Sequence, residues 1–151
     1  MDYQLKSLFE KLRKTADFED VDFSDVNACS LDGDNALHCV VRWNDLAAAK
    51  ALIEAGIDVN KAGDLGYTPL HVACMTGSVE MVQLLIDNGA DLFALNEGYP
   101  PSTAARMAGK DHICDFLTPL METAFAQDQK VWVRARITQL RREIADLEKK
   151  L

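Results

Sequence analysis

Histidine and cysteine are the residues of this 151-residue chain best suited to catalysis or metal binding. His38 and His71 each follow a leucine in a predicted helix, and Cys74 lies one helical turn after His71. No set of four such side chains has the spacing of a zinc site. No phosphate loop and no Gly-x-Ser-x-Gly nucleophile elbow occurs. We therefore expect no catalytic residue, no metal, no cofactor and no enzymatic activity.

Carboxylates are the other candidates for acid–base chemistry. Asp32 and Asp34 form a close pair, and the glycine between them predicts a turn tip that lies in water. Nothing at such a tip raises the pKa of a carboxyl group toward the value that acid–base catalysis needs. The pair is better suited to contacts with a partner than to chemistry.

Cysteine use and hydropathy indicate where the chain resides. A chain of this size with 48% hydrophobic residues is able to bury its four cysteines as free thiols, with paired disulfides or a zinc site as alternatives. The sequence contains no apolar run of about 18 residues, so it predicts no membrane span. The N-terminal residues lack the apolar block of a secretory signal. We expect a reducing, cytoplasmic location without membrane contact.

The formal net charge of -8 is unevenly distributed. Residues 1–27 carry -3, residues 28–127 carry -8 and residues 128–151 carry +3. The acidic central part repels a phosphate backbone, so direct binding of nucleic acid is disfavoured. A protein with a basic surface is the expected partner.

Internal matches at a spacing of 33 residues indicate the elements that position these side chains. Residues 33–38 match 66–71, and residues 56–60 match 89–93. A third copy follows at a spacing of 32, beginning with residues 98–101. Several matches at one period predict a repeat protein.

The second copy predicts a turn followed by two short helices. Gly66 suits a tight turn, and Pro69 suits the first position of a helix that Gly77 ends. A second helix begins near Ser78 and stops at Gly89. The positions predicted to face inward are Leu70, Ala73, Cys74, Val79, Val82, Leu85 and Ile86. Helices this short cannot cover their own apolar faces, so neighbouring copies must stack.

Residues 66–73, read with Gly77 and residues 88–91, resemble a near-consensus ankyrin repeat. The resemblance covers about residues 25–121 and implies an all-α ankyrin-repeat solenoid with N- and C-terminal capping helices. It also implies that His38 and His71 brace the turns. The expected organisation is a capping helix and acidic linker at 1–24, three repeats at about 28–60, 61–93 and 94–121, and a helical extension at 122–151.

The resemblance further implies a binding surface made of the turn tips and the exposed side of the first helices. Transferred to this chain, the partner-binding residues are Asp32, Asp34, Arg42, Trp43, Asp64, Leu65, Tyr67, Met75, Asn96, Glu97, Tyr99 and Met107. Aromatic anchors among carboxylates are typical of interface hot spots with a charged rim. The implied function is non-catalytic protein binding, including inhibition of the partner by an immunity-type protein. Packing of Trp43 between repeats is an alternative for that residue.

The segments that flank the repeats are predicted to be helical caps. An apolar face at Leu5, Leu8, Phe9 and Leu12 predicts an N-terminal capping helix. Residues 15–25 are either a linker folded against the first repeat or an acidic-hydrophobic binding segment. Thr118 followed by Pro119 predicts a new helix start after the third repeat.

A final helix carries apolar residues at alternating spacings of four and three, namely Val133, Ile137, Leu140, Ile144, Leu147 and Leu151. This seam either packs along the last repeat as an extended cap or drives assembly, with the repeats as an adaptor. Assembly would give an antiparallel homodimer through residues 133–151. That orientation is able to place Arg141 opposite Glu148 and Glu143 opposite Lys150, whereas a parallel pair sets like charges together.

Overall fold

The computed structural model of the chain describes residues 3–127 and 129–148, and these residues form eight α-helices. They are α1 (Tyr3–Leu12), α2 (Ala36–Arg42), α3 (Leu46–Glu54), α4 (Pro69–Thr76), α5 (Val79–Asp87), α6 (Pro101–Met107), α7 (Asp111–Gln127) and α8 (Gln129–Glu148). The same residues contain two isolated β-bridges and no extended sheet. None of the helices described is both long enough and apolar enough to cross a bilayer.

Three helix pairs, α2–α3, α4–α5 and α6–α7, stack in chain order. α4 lies in the middle of the stack and packs against both α2 and α6. Its Leu70 is fully buried, as the repeat pattern predicts. The predicted helix ends are also confirmed, since Gly77 follows α4 with φ 85° and the Ser78 side chain accepts from the Met81 N–H at the start of α5.

A short hairpin, here called a finger, precedes the first helix of each pair. The first finger (30–34) and the second finger (63–67) are each closed by a backbone hydrogen bond of 2.8 Å between their end residues. The third finger (96–99) closes over four residues, through bonds of 3.0 and 2.7 Å between Asn96 and Tyr99. The third finger is therefore one residue shorter, which accounts for the change in spacing from 33 to 32.

The N-terminal segment covers the first repeat. All four apolar residues of the predicted α1 face are buried. Phe23 stacks on Phe9 with ring centroids 4.5 Å apart, and Phe18 is fully buried. These aromatic rings are not available to a partner, which favours the interpretation of residues 15–25 as a linker. α1 packs against α3 as α3 packs against α5, so it takes the place of an outer helix of a preceding repeat.

α7 is one continuous helix, so the prediction of a new helix start at Thr118 and Pro119 is wrong. Pro119 lies inside α7. Gly56 and Gly89 follow the ends of α3 and α5 with φ 87°, but Met121 stands at the equivalent position of the third copy. A residue with a Cβ atom is disfavoured in this left-handed conformation, so the helix continues.

α8 covers the open side of the third finger. A Cβ atom on Gly66 would lie 3.8 Å from Oδ1 of Asn96, which belongs to the following finger. At the equivalent Gly98, a Cβ atom would lie 3.2 Å from Cγ of Gln139 in α8. α8 therefore takes the place that a fourth finger would occupy.

The apolar stripe of α8 faces away from the finger. This stripe, which we call the seam, comprises Val133, Ile137, Leu140, Ile144 and Leu147. Each of these residues is between 40% and 60% exposed. Gln139 and Arg142, on the opposite face of the helix, line clefts against the third finger. The prediction that the seam packs along the last repeat is therefore wrong. Lys150 and Leu151 lie outside the described residues.

Candidate protein-binding surface

Asp34 and His38 join the first finger to the second. Oδ1 of Asp34 accepts the backbone N–H of Asp64 at 2.9 Å, and its Oδ2 accepts the guanidinium of Arg42 at 3.2 Å. Nε2 of His38 lies 3.0 Å from the carbonyl oxygen of Tyr67. The contacts with Asp64 and Tyr67 cross from one repeat to the next and hold the two finger tips at a fixed separation, whereas the contact with Arg42 lies within the first repeat.

His71 makes the same contact at the second junction, with its Nε2 3.1 Å from the carbonyl oxygen of Tyr99. The backbone N–H groups of Asn35 and Thr68 donate to Nδ1 of His38 and His71. A proton on Nε2 of each ring, which can then donate to a finger carbonyl, satisfies both of these contacts. Burial lowers the pKa of both histidines, which favours this neutral form. Both side chains therefore brace the fingers.

A pair of asparagines links the repeats at a second level. Oδ1 of Asn27 accepts the N–H of Asp58 at 2.7 Å, and Oδ1 of Asn60 accepts the N–H of Asp91 at 2.8 Å. Phe93 occupies the equivalent position of the third copy. A phenyl ring accepts no such bond. The series of asparagine hydrogen bonds, which we call the ladder, therefore ends where α8 begins to cover the fold.

The four cysteines form no disulfide, and they differ in burial. All four are free thiols, with Cys39 and Cys74 buried and Cys29 and Cys114 partly exposed. Burial raises the pKa of the Cys39 thiol to about 11 and that of Cys74 to about 12, so both are protonated and weakly nucleophilic at neutral pH. No cluster of His, Cys, Asp or Glu with the arrangement of a metal site occurs among the described residues.

Ten of the twelve residues predicted to contact a partner are accessible. Tyr67 and Met75 are half-buried, and the ring of Tyr67 meets the edge of His71 at 5.8 Å. The exposed ones are Asp32, Arg42, Trp43, Asp64, Leu65, Glu97, Tyr99 and Met107. Because they lie on successive fingers and on the ends of α2 and α6, they form one surface, which we call the finger surface.

The other two predicted residues are buried. Asp34 is only 7% exposed because its carboxylate turns toward the second finger, so the prediction that it lies in water at a turn tip is wrong. Asn96 is 5% exposed, and its backbone closes the third finger. Its Oδ1 has no hydrogen-bond partner among the described residues. Neither side chain is available for contact with a partner.

Trp43 lies at the N-terminal end of the finger surface, and 36% of the residue is exposed. Its ring is partly exposed, and Nζ of Lys11 lies 4.3 Å from the ring centroid. This cation–π contact stabilises a ring that faces solvent. Lys11 is not among the residues predicted from the sequence, because its contact with Trp43 depends on how α1 packs against the repeats.

Four large apolar side chains stand exposed along the finger surface, namely Leu31, Leu65, Tyr99 and Met107. Leu65 also has φ 52° and precedes Gly66 with φ 81°. The left-handed conformation costs a residue with a Cβ atom about 1–2 kcal/mol. An exposed leucine held in this conformation at a turn tip contributes little to the fold, which makes it a candidate contact with a partner.

Acidic side chains accompany the apolar ones, with Asp32, Asp64 and Glu97 exposed on the three fingers. α8 changes the charge at one end of this row. Arg142 of α8 and Glu97 line the same open cleft of about 760 Å³ between the helix and the second and third fingers. The acidic character of the finger surface is therefore greatest on the first and second fingers.

A family model described as ankyrin repeats in three copies matches residues 4–96. The match begins in α1 and ends before α6. Human protein phosphatase 1 regulatory subunit 27 is 39% identical over 62 residues, which are 41% of this chain and 40% of that protein.

Two notch homologs are similar over a longer segment. Human neurogenic locus notch homolog protein 1 is 39% identical over 88 residues, which are 56% of this chain and 3% of that protein. Human neurogenic locus notch homolog protein 2 is 36% identical over the same length, 4% of its own chain. This chain therefore spans less than half the length of each of these relatives, and the similarity is one of repeats.

Proposed function

Because the chain belongs to the ankyrin-repeat family, we propose that it binds a partner protein through the finger surface and catalyses no reaction itself. Ankyrin repeats mediate protein–protein interactions, and this general role applies to the chain. The finger surface as the site, and the chemistry of the partner, are the specific parts of the proposal.

The exposure of Leu31, Leu65, Tyr99 and Met107 on one surface is the observation that carries this proposal. Fully desolvating an apolar side chain of this size contributes about 1.5–3 kcal/mol. A few such anchors with polar surroundings supply most of the affinity of a typical interface. The histidine contacts between fingers support the same function, because they hold the anchors in place before the partner binds.

A partner with a basic surface fits the charge of the first and second fingers. Asp32 and Asp64 are exposed there, and neither makes a salt bridge with another described residue. Their field would accelerate association with a positively charged protein and disfavour nucleic acid. Raising the salt concentration is expected to slow association more than it speeds dissociation.

Inhibition or regulation of the partner is the form of binding that we favour. A compact acidic binder without catalytic residues is suited to covering a basic active site. One of the relatives is named as a regulatory subunit of protein phosphatase 1. Its similarity to this chain spans 62 residues, so the proposal carries over a regulatory role and leaves the identity of the regulated enzyme open.

Affinity capture with two matched variants tests this function. The immobilised full chain is compared with a variant in which Leu65, Tyr99 and Met107 are replaced by alanine. The control replaces Lys50, Glu54 and Glu80, which are exposed on the outer helices α3 and α5. Proteins retained by the wild type and the control should bind the triple variant more than about tenfold more weakly. Equal retention by all three would refute the finger surface as the binding site.

Assembly through α8 is a second candidate function. The seam is the observation that favours it, because an amphipathic helix normally turns its apolar face toward the protein. α8 does the opposite and leaves five large apolar side chains in solvent. An adaptor that brings several copies of the finger surface together would use such a helix.

A further inference from the structure

We infer that the seam of α8 pairs with the seam of a second copy of this chain, in the antiparallel orientation and with Arg141 opposite Glu148. This inference rests on the assembly function proposed above and specifies its partner and geometry. It excludes a different protein as the occupant of the seam and it excludes a parallel pair.

The position of α8 leaves room for a second helix. The face that carries Gln139 and Arg142 is held against the third finger, and the seam lies on the opposite side of the helix. A second α8 approaching the seam therefore does not meet the fingers of the first copy. The two finger surfaces would lie on opposite sides of the paired helices, both open to partners.

Charge on the flanks of the seam selects the orientation. Arg136 and Glu143 occupy one flank, where both are hydrogen-bonded to Gln139 at 2.8 and 3.0 Å. Arg141 and Glu148 occupy the other flank, are exposed, and form no salt bridge with another described residue. A helix with one unpaired charge of each sign on the same flank is complementary to its own antiparallel copy.

The two orientations pair these charges differently. An antiparallel pair sets Arg141 of each copy opposite Glu148 of the other, so the attraction occurs twice. A parallel in-register pair sets Arg141 against Arg136 and Glu148 against Glu143, so both flanks repel. The pairing of Glu143 with Lys150, which the antiparallel orientation also allows, involves a residue outside the described part of the chain.

The size of the contact predicts a weak dimer. With Arg141 opposite Glu148, Ile144 of each copy packs against Leu147 of the other, and Leu140 lies opposite residues outside the described part of the chain. An interface of this size falls at the lower end of the range for specific association. The full chain is therefore expected to exchange between monomer and dimer as its concentration changes.

Sedimentation equilibrium of the full chain between ~10 μM and ~1 mM, where small interfaces associate, tests the inference. Arg141→Glu and Glu148→Arg should each weaken the dimer about three- to tenfold, since each converts two attractive contacts into repulsive ones. The double variant, which exchanges the two charges, should restore wild-type association. Lys50→Glu and Glu54→Arg change the net charge equally on α3 and should have no effect.

The opposite outcomes refute either the antiparallel orientation or the assembly function. If both single variants associate more tightly than the wild type, the pair is parallel: the geometry is wrong and the assembly function remains. Ile144→Asp should abolish association without loss of helical circular dichroism, because Ile144 is exposed in the monomer. A wild-type chain that stays monomeric throughout, or an Ile144→Asp chain that still dimerises, refutes both the pairing and the assembly function.

Discussion

The junctions between fingers and the junction with α8 are built from different chemistry. Between the fingers, a buried neutral histidine donates to the next finger, and Asn27 or Asn60 accepts a backbone N–H of the next repeat. At the third finger, Phe93 replaces the asparagine and Gln139 of α8 faces Gly98. A polar ladder needs a following backbone at a fixed position. In the third copy, Phe93 stands in place of the asparagine, and α8 covers the end of the stack.

This difference separates the finger surface, which we propose binds a partner, from the seam, which we propose pairs with a second copy of the chain. The ladder residues fix the spacing of the finger tips, so the apolar side chains on them are held in place. At the α8 junction, the side of the helix that carries Gln139 faces the third finger, which leaves the seam exposed. We therefore expect substitutions inside the stack to act on stability, and substitutions on the fingers or the seam to act on association.

Leu70→Ala should have the largest effect on the stack. Leu70 is fully buried in α4, so its removal should lower the free energy of unfolding by about 2–5 kcal/mol. Leu65→Ala makes the same chemical change at an exposed finger tip and should cost less than about 0.5 kcal/mol. Urea denaturation of the two variants gives the comparison. Equal midpoints would show that the register of the repeats is wrong.

Gly63→Ala should disturb the first junction. A Cβ atom at this position would overlap Oδ1 of Asp34 and lie 2.9 Å from Nε2 of His38. Overpacking of this kind typically costs about 1–3 kcal/mol. Because the clash involves Asp34, the effects of substitutions at the two positions should be coupled. Gly63→Ala should lower the free energy of unfolding less when Asp34 is already replaced by alanine. Strictly additive losses in a double-mutant cycle would contradict the close approach of the two fingers.

Acid should weaken both histidine junctions. Burial lowers the pKa of His38 and His71 below 6.5, although Asp34 and Asp91 partly oppose this and Arg42 reinforces it at His38. As the pH falls below about 6.5, the unfolded chain binds protons that the folded chain does not, so the free energy of unfolding decreases. The slope is at most about 1.4 kcal/mol per pH unit for each histidine. His71→Gln should reduce this slope between pH 7 and 5, and an unchanged slope would contradict the neutral, buried form.

Asn60→Ala tests the ladder directly. It removes the bonds to the Asp91 N–H and to the carbonyl of Gly89, and should lower the free energy of unfolding by about 1 kcal/mol. Phe93→Ala should instead act on α8, because Phe93 lines clefts with that helix. Hydrogen exchange should rise in α8 for Phe93→Ala and in the repeats for Asn60→Ala. The same exchange pattern in both variants would remove the distinction between the two kinds of junction.

Local patterns predicted the stack, and contacts between distant segments explain the errors. The burial of Leu70 and the end of α4 at Gly77 follow from residues close in sequence, and the 33-residue period follows from the recurrence of the same local pattern. Asp34 was misplaced because its backbone partner belongs to the next finger, 30 residues away. The seam of α8 was visible as a period, but its orientation depends on the packing of the Gln139 side of the helix beside the third finger, which apolar spacing does not encode.

Leu65→Asn tests the central claim, that the fingers serve binding more than folding, most directly. Asparagine tolerates a positive φ better than leucine, so the variant should be more stable by about 0.5–1 kcal/mol. The measurement is the affinity of this variant for a partner captured by the wild-type chain, determined by calorimetry alongside the urea midpoint. We expect a higher midpoint and affinity weaker by about tenfold or more. Unchanged affinity in the stabilised variant would contradict the account.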